Sequence, residues 1–186
     1  MKTITFLRHG ETNQSGELSD KGIVQAQRRT DSLRNLYQFD LVVTSSALRT
    51  KETARIITQA LNINIPSVAL QELYLPHNDK DKKIVKHLLE ELGSAPLYEY
   101  IKHDKDNAWE RYTKDAYDVL STSILAHNAK NVLIIGHGNI INALGLMINP
   151  EFTDLQKIYF DYCEGFTIFE ETKELRYYLK RNPFQR

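Results

Sequence analysis

Four short apolar runs, each leading into a polar loop, leave this chain few ways to fold. Thr3-Ile4-Thr5-Phe6-Leu7, Leu41-Val42-Val43, Ser67-Val68-Ala69-Leu70 and Val132-Leu133-Ile134-Ile135 are the length of buried strands and rich in β-branched residues. Between them lie stripes at helical spacing. Ser19-Asp20 offers a cap for Ile23, Ala26, Thr30, Leu33 and Leu36/Tyr37. Ser45 or Ser46 offers one for Leu48, Ala54, Ile57 and Leu61, and Gly136-His137-Gly138 leads into Ile141, Leu144 and Ile148. Repeated strand–helix–strand units predict an α/β chain: a mostly parallel sheet between two helical layers, with Val132–Ile135 near its centre.

Residues 76–130 break the rhythm. Ile84, Val85, Leu88, Leu89 and Leu92 mark one helix, ended by Gly93 and Pro96; Trp109, Tyr112, Ala116, Val119 and Ser123/Ile124 mark a longer one. We read this stretch as a helical insertion over the sheet edge of a single domain spanning 1–186. Beyond Pro150, residues 158–160, 166–169 and 176–179 read as strands with turns at Gly165 and Thr172-Lys173, an antiparallel finish to the sheet.

Lysine plus arginine number 24 and aspartate plus glutamate 24, so there is none of the basic surplus that nucleic acid demands. The lone Cys163 excludes a disulfide scaffold, and without a basic neighbour in sequence it reads as structural. No apolar run approaches a membrane span, and the N-terminal one is cut short by Arg8, so a cytoplasmic protein is expected.

In open α/β sheets, function gathers outside the carboxyl ends of the strands. After the first run come Arg8, His9 and Gly10; after the second, in the first turn of its helix, Arg49; after the third, Glu72; after the fourth, His137. Two forked guanidiniums suit a tetrahedral oxyanion. An imidazole kept neutral by nearby positive charge can attack phosphorus, and a carboxyl group can shuttle the proton. A second imidazole, if protonated, adds a donor to the phosphoryl oxygens. The same residues leave two rivals open. His9, His137 and Glu72 have the composition of a two-histidine, one-carboxylate metal site, although the arginines beside it would repel a dication. A non-catalytic module that binds phosphorylated ligands would need only the arginines.

The motifs as they stand resemble a family. Leu7-Arg8-His9-Gly10-Glu11-Thr12 looks like the RHG signature of the histidine phosphatase superfamily, which includes the phosphoglycerate mutases. Leu18-Ser19-Asp20-Lys21-Gly22 is similar to its L-[ST]-x-x-G helix start. Residues 45–54 resemble its S-x-x-x-R-x-x-x-T-A segment, and Ile135-Gly136-His137-Gly138-Asn139 its second histidine motif. The resemblance covers residues 3–148. It implies a phosphoglycerate mutase-like fold and a metal-independent, cofactor-free phosphatase with His9 as phosphorylated nucleophile. Arg8, Arg49 and His137 would hold the phosphoryl group and Glu72 would serve as acid/base. The phosphate-binding set it implies is Arg8, Gly10, Thr12, Asn13, Arg49, His137, Gly138 and Asn139. The substrate would be a phosphorylated small molecule or phosphoprotein, with no nucleic acid or membrane partner.

Two departures bear on the reaction. Seven residues separate Gly10 from Leu18, a shorter loop than mutases carry, and no W-E-G follows Glu72. Hydrolysis is therefore expected over mutase transfer. Tyr98, Tyr100, Trp109, Tyr112 and Tyr117 read as an aromatic core, and His77, His87, His103 and His127 as surface residues.

Overall fold

The computed structural model describes residues 3–34 and 38–180. Leu36/Tyr37, read as the end of the first helical stripe, lie outside the described residues. The strands are β1 (Thr3–Arg8), β2 (Leu41–Ser45), β3 (Ser67–Leu70), β4 (Asn131–Gly136), β5 (Gly165–Phe169) and β6 (Glu174–Tyr178). They form one sheet in the order β3-β2-β4-β1-β5-β6. The first four run parallel; β5 pairs antiparallel with β1, and β6 with β5. β4 thus lies between β2 and β1, inside the sheet as its composition predicts.

Alternation along the buried strands builds the layers. Ile4, Phe6, Leu41, Val43, Val132 and Ile134 belong to one core. Leu7, Val42, Leu133 and Ile135 belong to the other. The second core lies beneath α1 (Asp20–Leu33) and α2 (Leu48–Leu61), through Ala26, Leu33, Ala54 and Ile57. The first lies beneath α3 (Asp79–Leu92), α4 (Leu97–His103), α5 (Ala108–Ala126) and α6 (Gly138–Ile148). This is the α/β/α sandwich. Each fully buried Phe or Leu contributes about 1.5–3 kcal/mol, so two such cores pin the strand register.

Several local expectations need correction. Residues 158–160 form no strand. Ile158 and Phe160 are buried with Tyr159 between them, the in–out pattern of a strand, but their carbonyls bond to side chains. Asn142 Nδ2 donates to the Ile158 carbonyl at 2.6 Å and an Arg8 terminal nitrogen to that of Phe160 at 2.9 Å. The turn before β5 falls at 162–163, with Cys163 in the left-handed region (φ 56°), and Gly165 opens the strand itself. The N-cap of α2 is Ala47, without a side-chain cap; Ser45 Oγ accepts from the Ala47 N–H but is occupied elsewhere, as described below. Leu48, expected on the inner face of α2, starts that helix half-exposed, and Ile23 and Leu89 are also substantially exposed. Helix α4, only seven residues long, carried no periodic stripe by which to be read.

Candidate active site

Three parallel strands end side by side, and each delivers a different polar side chain. β1 ends at Arg8 and passes to His9, whose N–H prolongs the ladder onto the Gly136 carbonyl of β4 at 3.1 Å. β4 passes to His137, the N-cap of α6. β2 passes through Ser46 and Ala47 to Arg49 in the first turn of α2. The Arg8–His9 backbone is fixed again from the side, because Cys163 N–H donates to both carbonyls at 3.1 and 3.2 Å.

The two imidazoles face each other edge to face, 5.0 Å between centroids. Arg49 bridges them. Its Nε donates to His9 Nε2 at 3.1 Å, and one terminal nitrogen donates to His137 Nδ1 at 3.3 Å. Each acceptor nitrogen must therefore carry a lone pair, which assigns both tautomers. His9 bears its proton on Nδ1, where it donates to the Gly10 carbonyl at 2.7 Å. His137 bears its proton on Nε2 and donates to Ser45 Oγ at 2.8 Å. Ser45 Oγ passes its own proton to Thr50 Oγ1 at 3.0 Å, and Thr50 donates to the Ala47 carbonyl at 2.7 Å. The orientation of His137 is thus set by a hydroxyl chain rooted in α2.

Electrostatics agree with these assignments. Burial, foremost, and the charges of Arg49 and Arg8 pull His9 down to about 3, against the raising effect of the Gly10 carbonyl. Burial likewise holds His137 well below the usual histidine range, helped by His9, Arg49 and Arg8. Both rings are neutral at pH 7.

Arg8 lies against two aromatic faces, its guanidinium carbon 4.9 Å from the Tyr159 centroid and 4.2 Å from that of Tyr162. Its Nε is buried without a partner. Arg49 sits 5.4 Å from the Tyr74 centroid. These groups open into a cavity of about 420 Å³. Its floor is Arg8, His9, Arg49 and His137 with the start of α6, Gly138 and Asn139. Asn139 is held by its Nδ2 to the Ala95 carbonyl at 2.9 Å, leaving Oδ1 buried without a partner. The walls include Tyr74, Tyr159, Tyr100, Trp109 and Tyr112, with Lys86 and Glu90 of α3. Of the expected aromatic core, Tyr100, Trp109 and Tyr112 are buried and form the cavity's inner wall, Tyr117 is half-buried, and Tyr98 is exposed on the surface of α4.

Other expected site residues stand apart. Gly10, Thr12, Asn13 and Glu72 do not line the cavity. Gly10 packs on α1, where a Cβ would come within 2.7 Å of the Gly22 carbonyl, and its N–H donates to Thr53 Oγ1 at 3.0 Å. Thr12 bridges to Leu18, and exposed Asn13 ties its own loop through the Ser15 and Glu17 N–H groups. Glu72 is half-buried in the 3-10 turn Gln71–Leu73 after β3. Its charge acts with burial, the larger cause, to raise the Tyr112 phenol. Glu90 is the carboxylate that reaches the wall. Among the described residues no three His, Cys, Asp or Glu side chains gather as a metal-binding group.

Sequence reading assigned no site role to Ser45, Tyr74, Lys86, Glu90, Tyr159 or Tyr162. Only Ser45 carried a signal, as the first residue of the S-x-x-x-R segment. Tyr74, Lys86, Glu90 and Tyr159 reach the cavity from elements remote in sequence, and Tyr162 packs behind it on Arg8 and His9.

Compared with known proteins, residues 4–176 match the profile of the Histidine phosphatase superfamily (branch 1). No curated protein matches the chain in sequence. In structure it is similar to the alpha-ribazole phosphatase from Shigella flexneri, at TM-score 0.62 and 21% identity over 95% of each chain. It is also similar to a phosphoglycerate mutase from Bacillus anthracis str. Sterne, at 0.61 and 17% over 96% of this chain and 92% of that one. A phosphoserine phosphatase from Entamoeba histolytica, solved with 3-phosphoglyceric acid, gives 0.61 and 21% over 100% and 98%. At these identities the likeness is one of fold.

Proposed function

This chain belongs to branch 1 of the histidine phosphatase superfamily, and from that premise we propose that it is a metal-independent phosphatase working through a phosphohistidine on His9. One observation carries the reading: Arg49 is held between two neutral imidazoles, its donors on the lone pairs of His9 Nε2 and His137 Nδ1. A guanidinium spent on neutral nitrogens gains far more from a phosphate dianion, which offers charge and paired oxygens together. Binding substrate frees His9 Nε2 to attack.

The Nε2 lone pair forms the N–P bond while the P–O bond to the leaving group breaks on the opposite side. The ring turns cationic, with its Nδ1–H kept on the Gly10 carbonyl. Arg8 and Arg49 hold phosphoryl oxygens. The dianion also favours uptake of a proton from solvent water by His137 Nδ1 as substrate binds, reversing the effect of the arginines, and the cationic ring becomes a further donor. The leaving oxygen takes a proton from a carboxylic acid. That carboxylate then takes one from water, whose oxygen replaces His9 on phosphorus. Glu72 is assigned this proton transfer by its place in the family pattern; Glu90 is the competitor by its place on the wall. Comparison of Glu72→Gln with Glu90→Gln decides between them, since only the true acid loses kcat for a substrate with a poor leaving group.

The short loop between Gly10 and Leu18 favours hydrolysis, because a phosphohistidine under a short cover is open to water. The test is turnover of p-nitrophenyl phosphate in excess chelator, alongside 2- and 3-phosphoglycerate. Undiminished turnover, with phosphate release faster than phosphoglycerate interconversion, is expected. Activity abolished by chelator and restored by zinc or manganese contradicts the reading.

A further inference from the structure

A second cavity, of about 280 Å³, lies beside the first and shares Trp109 with it as a wall. It opens between α4, α5 and α6. Its lining is mainly aliphatic: Leu97 and Ile101 of α4 meet Ala143, Leu146 and Met147 of α6. Ile101 is 51% and Met147 41% exposed, a large apolar area for side chains so close together.

Its charged groups have one sign, beside the neutral Asn107, Thr113 and Gln156. Asp104 lines the cavity and is 8% exposed. Its Oδ2 accepts from the Trp109 backbone N–H at 2.6 Å and so caps the start of α5, but Oδ1, like the Trp109 indole Nε1, is buried without a partner among the described residues. Glu110 stands at the rim, and among the described residues no lysine, arginine or histidine lines the walls. Arg111 feels the Asp104 charge, but its guanidinium is engaged by both carboxylate oxygens of Asp81, at 3.0 and 2.5 Å. A buried carboxylate oxygen without a hydrogen-bond donor costs stability, and a donor with positive charge satisfies it best.

We propose that this cavity is a binding site for an organic ammonium with an aliphatic body. The charged head donates to Asp104 Oδ1, and the chain lies between α4 and α6 against Ile101 and Met147. The site is separate from the phosphate-binding floor and does not depend on the reaction assigned there.

Trp109 is the single tryptophan of the chain and lines both cavities, so its fluorescence reports occupancy of either and vanadate separates the two. The probe is hexylammonium chloride, with hexanol as the neutral counterpart, titrated into the full chain with and without saturating vanadate. The expected result is a saturable change with hexylammonium, unaltered by vanadate and by His9→Ala, and at least about tenfold weaker binding of hexanol. Asp104→Asn keeps an oxygen for the Trp109 cap but loses the charge, and should weaken hexylammonium by a similar factor. Met147→Lys, at an exposed position, should do the same by repulsion whether or not the Asp104 variant folds. Hexanol binding as tightly as hexylammonium, competition by vanadate, undiminished binding in Met147→Lys, or no saturable change in the wild type would each overturn the proposal.

Discussion

At the scale of single residues, Arg49 does the most, because one guanidinium contacts both imidazoles. Arg49→Ala should weaken vanadate inhibition by about 2–5 kcal/mol, the usual cost of removing one member of a charge-assisted pair from a desolvated site. Arg49→Lys should recover only part, since an ammonium lacks the fork that reaches two partners. Equal inhibition of wild type and Arg49→Ala would remove Arg49 from the site. His9 makes a pH prediction. Its folded-state pKa, near 3, lies below the ordinary 6.5, so between those values the unfolded chain binds a proton that the folded one refuses. Its contribution is complete above pH 6.5 and is lost as pH falls toward 3. From pH 6.5 to 5 the loss is about 1–2 kcal/mol. His9→Asn should flatten that part of the stability profile in denaturant titrations; an unchanged slope contradicts the burial argument. Arg8, His9, Arg49 and His137 were legible in sequence because each lies at the end of a strand or within the turn that follows one, and belongs to a motif. The tyrosines around them were not, because Tyr74, Tyr159 and Tyr162 sit in irregular segments whose path only the packed structure defines.

At the scale of elements, the loop after β1 is seated on α1 by direct backbone contact. A Cβ on Gly22 would collide with the Glu11 carbonyl, and one on Gly10 with the Gly22 carbonyl. Both glycines are needed for close approach rather than for an unusual backbone angle. Gly22→Ala should therefore cost about 1–3 kcal/mol by overpacking. It should also lower kcat, because a shifted Gly10 carbonyl no longer fixes Nδ1–H on His9. A melting temperature and turnover matching wild type would contradict this. The four parallel strands were legible as short apolar runs between polar loops, and α5 as a long periodic stripe. Helix α4 was too short to show a period. The segment 158–160 imitated a strand because alternation reports which side chains are buried, not where the carbonyls bond, and here Asn142 and Arg8 take them.

At the scale of the whole molecule, the strand order makes the site. β1 and β2 are neighbours in sequence, but β4 is inserted between them, so loops from residues 8–10, 45–49 and 136–139 meet above three adjacent strands. The helices α3, α4 and α5 then wall the floor of the cavity with aromatic rings and with Lys86 and Glu90. This convergence was legible from the alternation of strands and helices, since parallel strands put all their following loops on one edge. The wall was not, because the tilt of those helices over the sheet depends on packing such as Tyr100 against Trp109. The central claim, covalent phosphorylation of His9, is tested by brief incubation with ³²P-labelled substrate, followed by parallel acid and alkaline quenches. Phosphohistidine survives base and is lost in acid. Base-stable label is expected on wild type and on His137→Ala, and none on His9→Ala; label persisting on His9→Ala rules out His9 as the nucleophile.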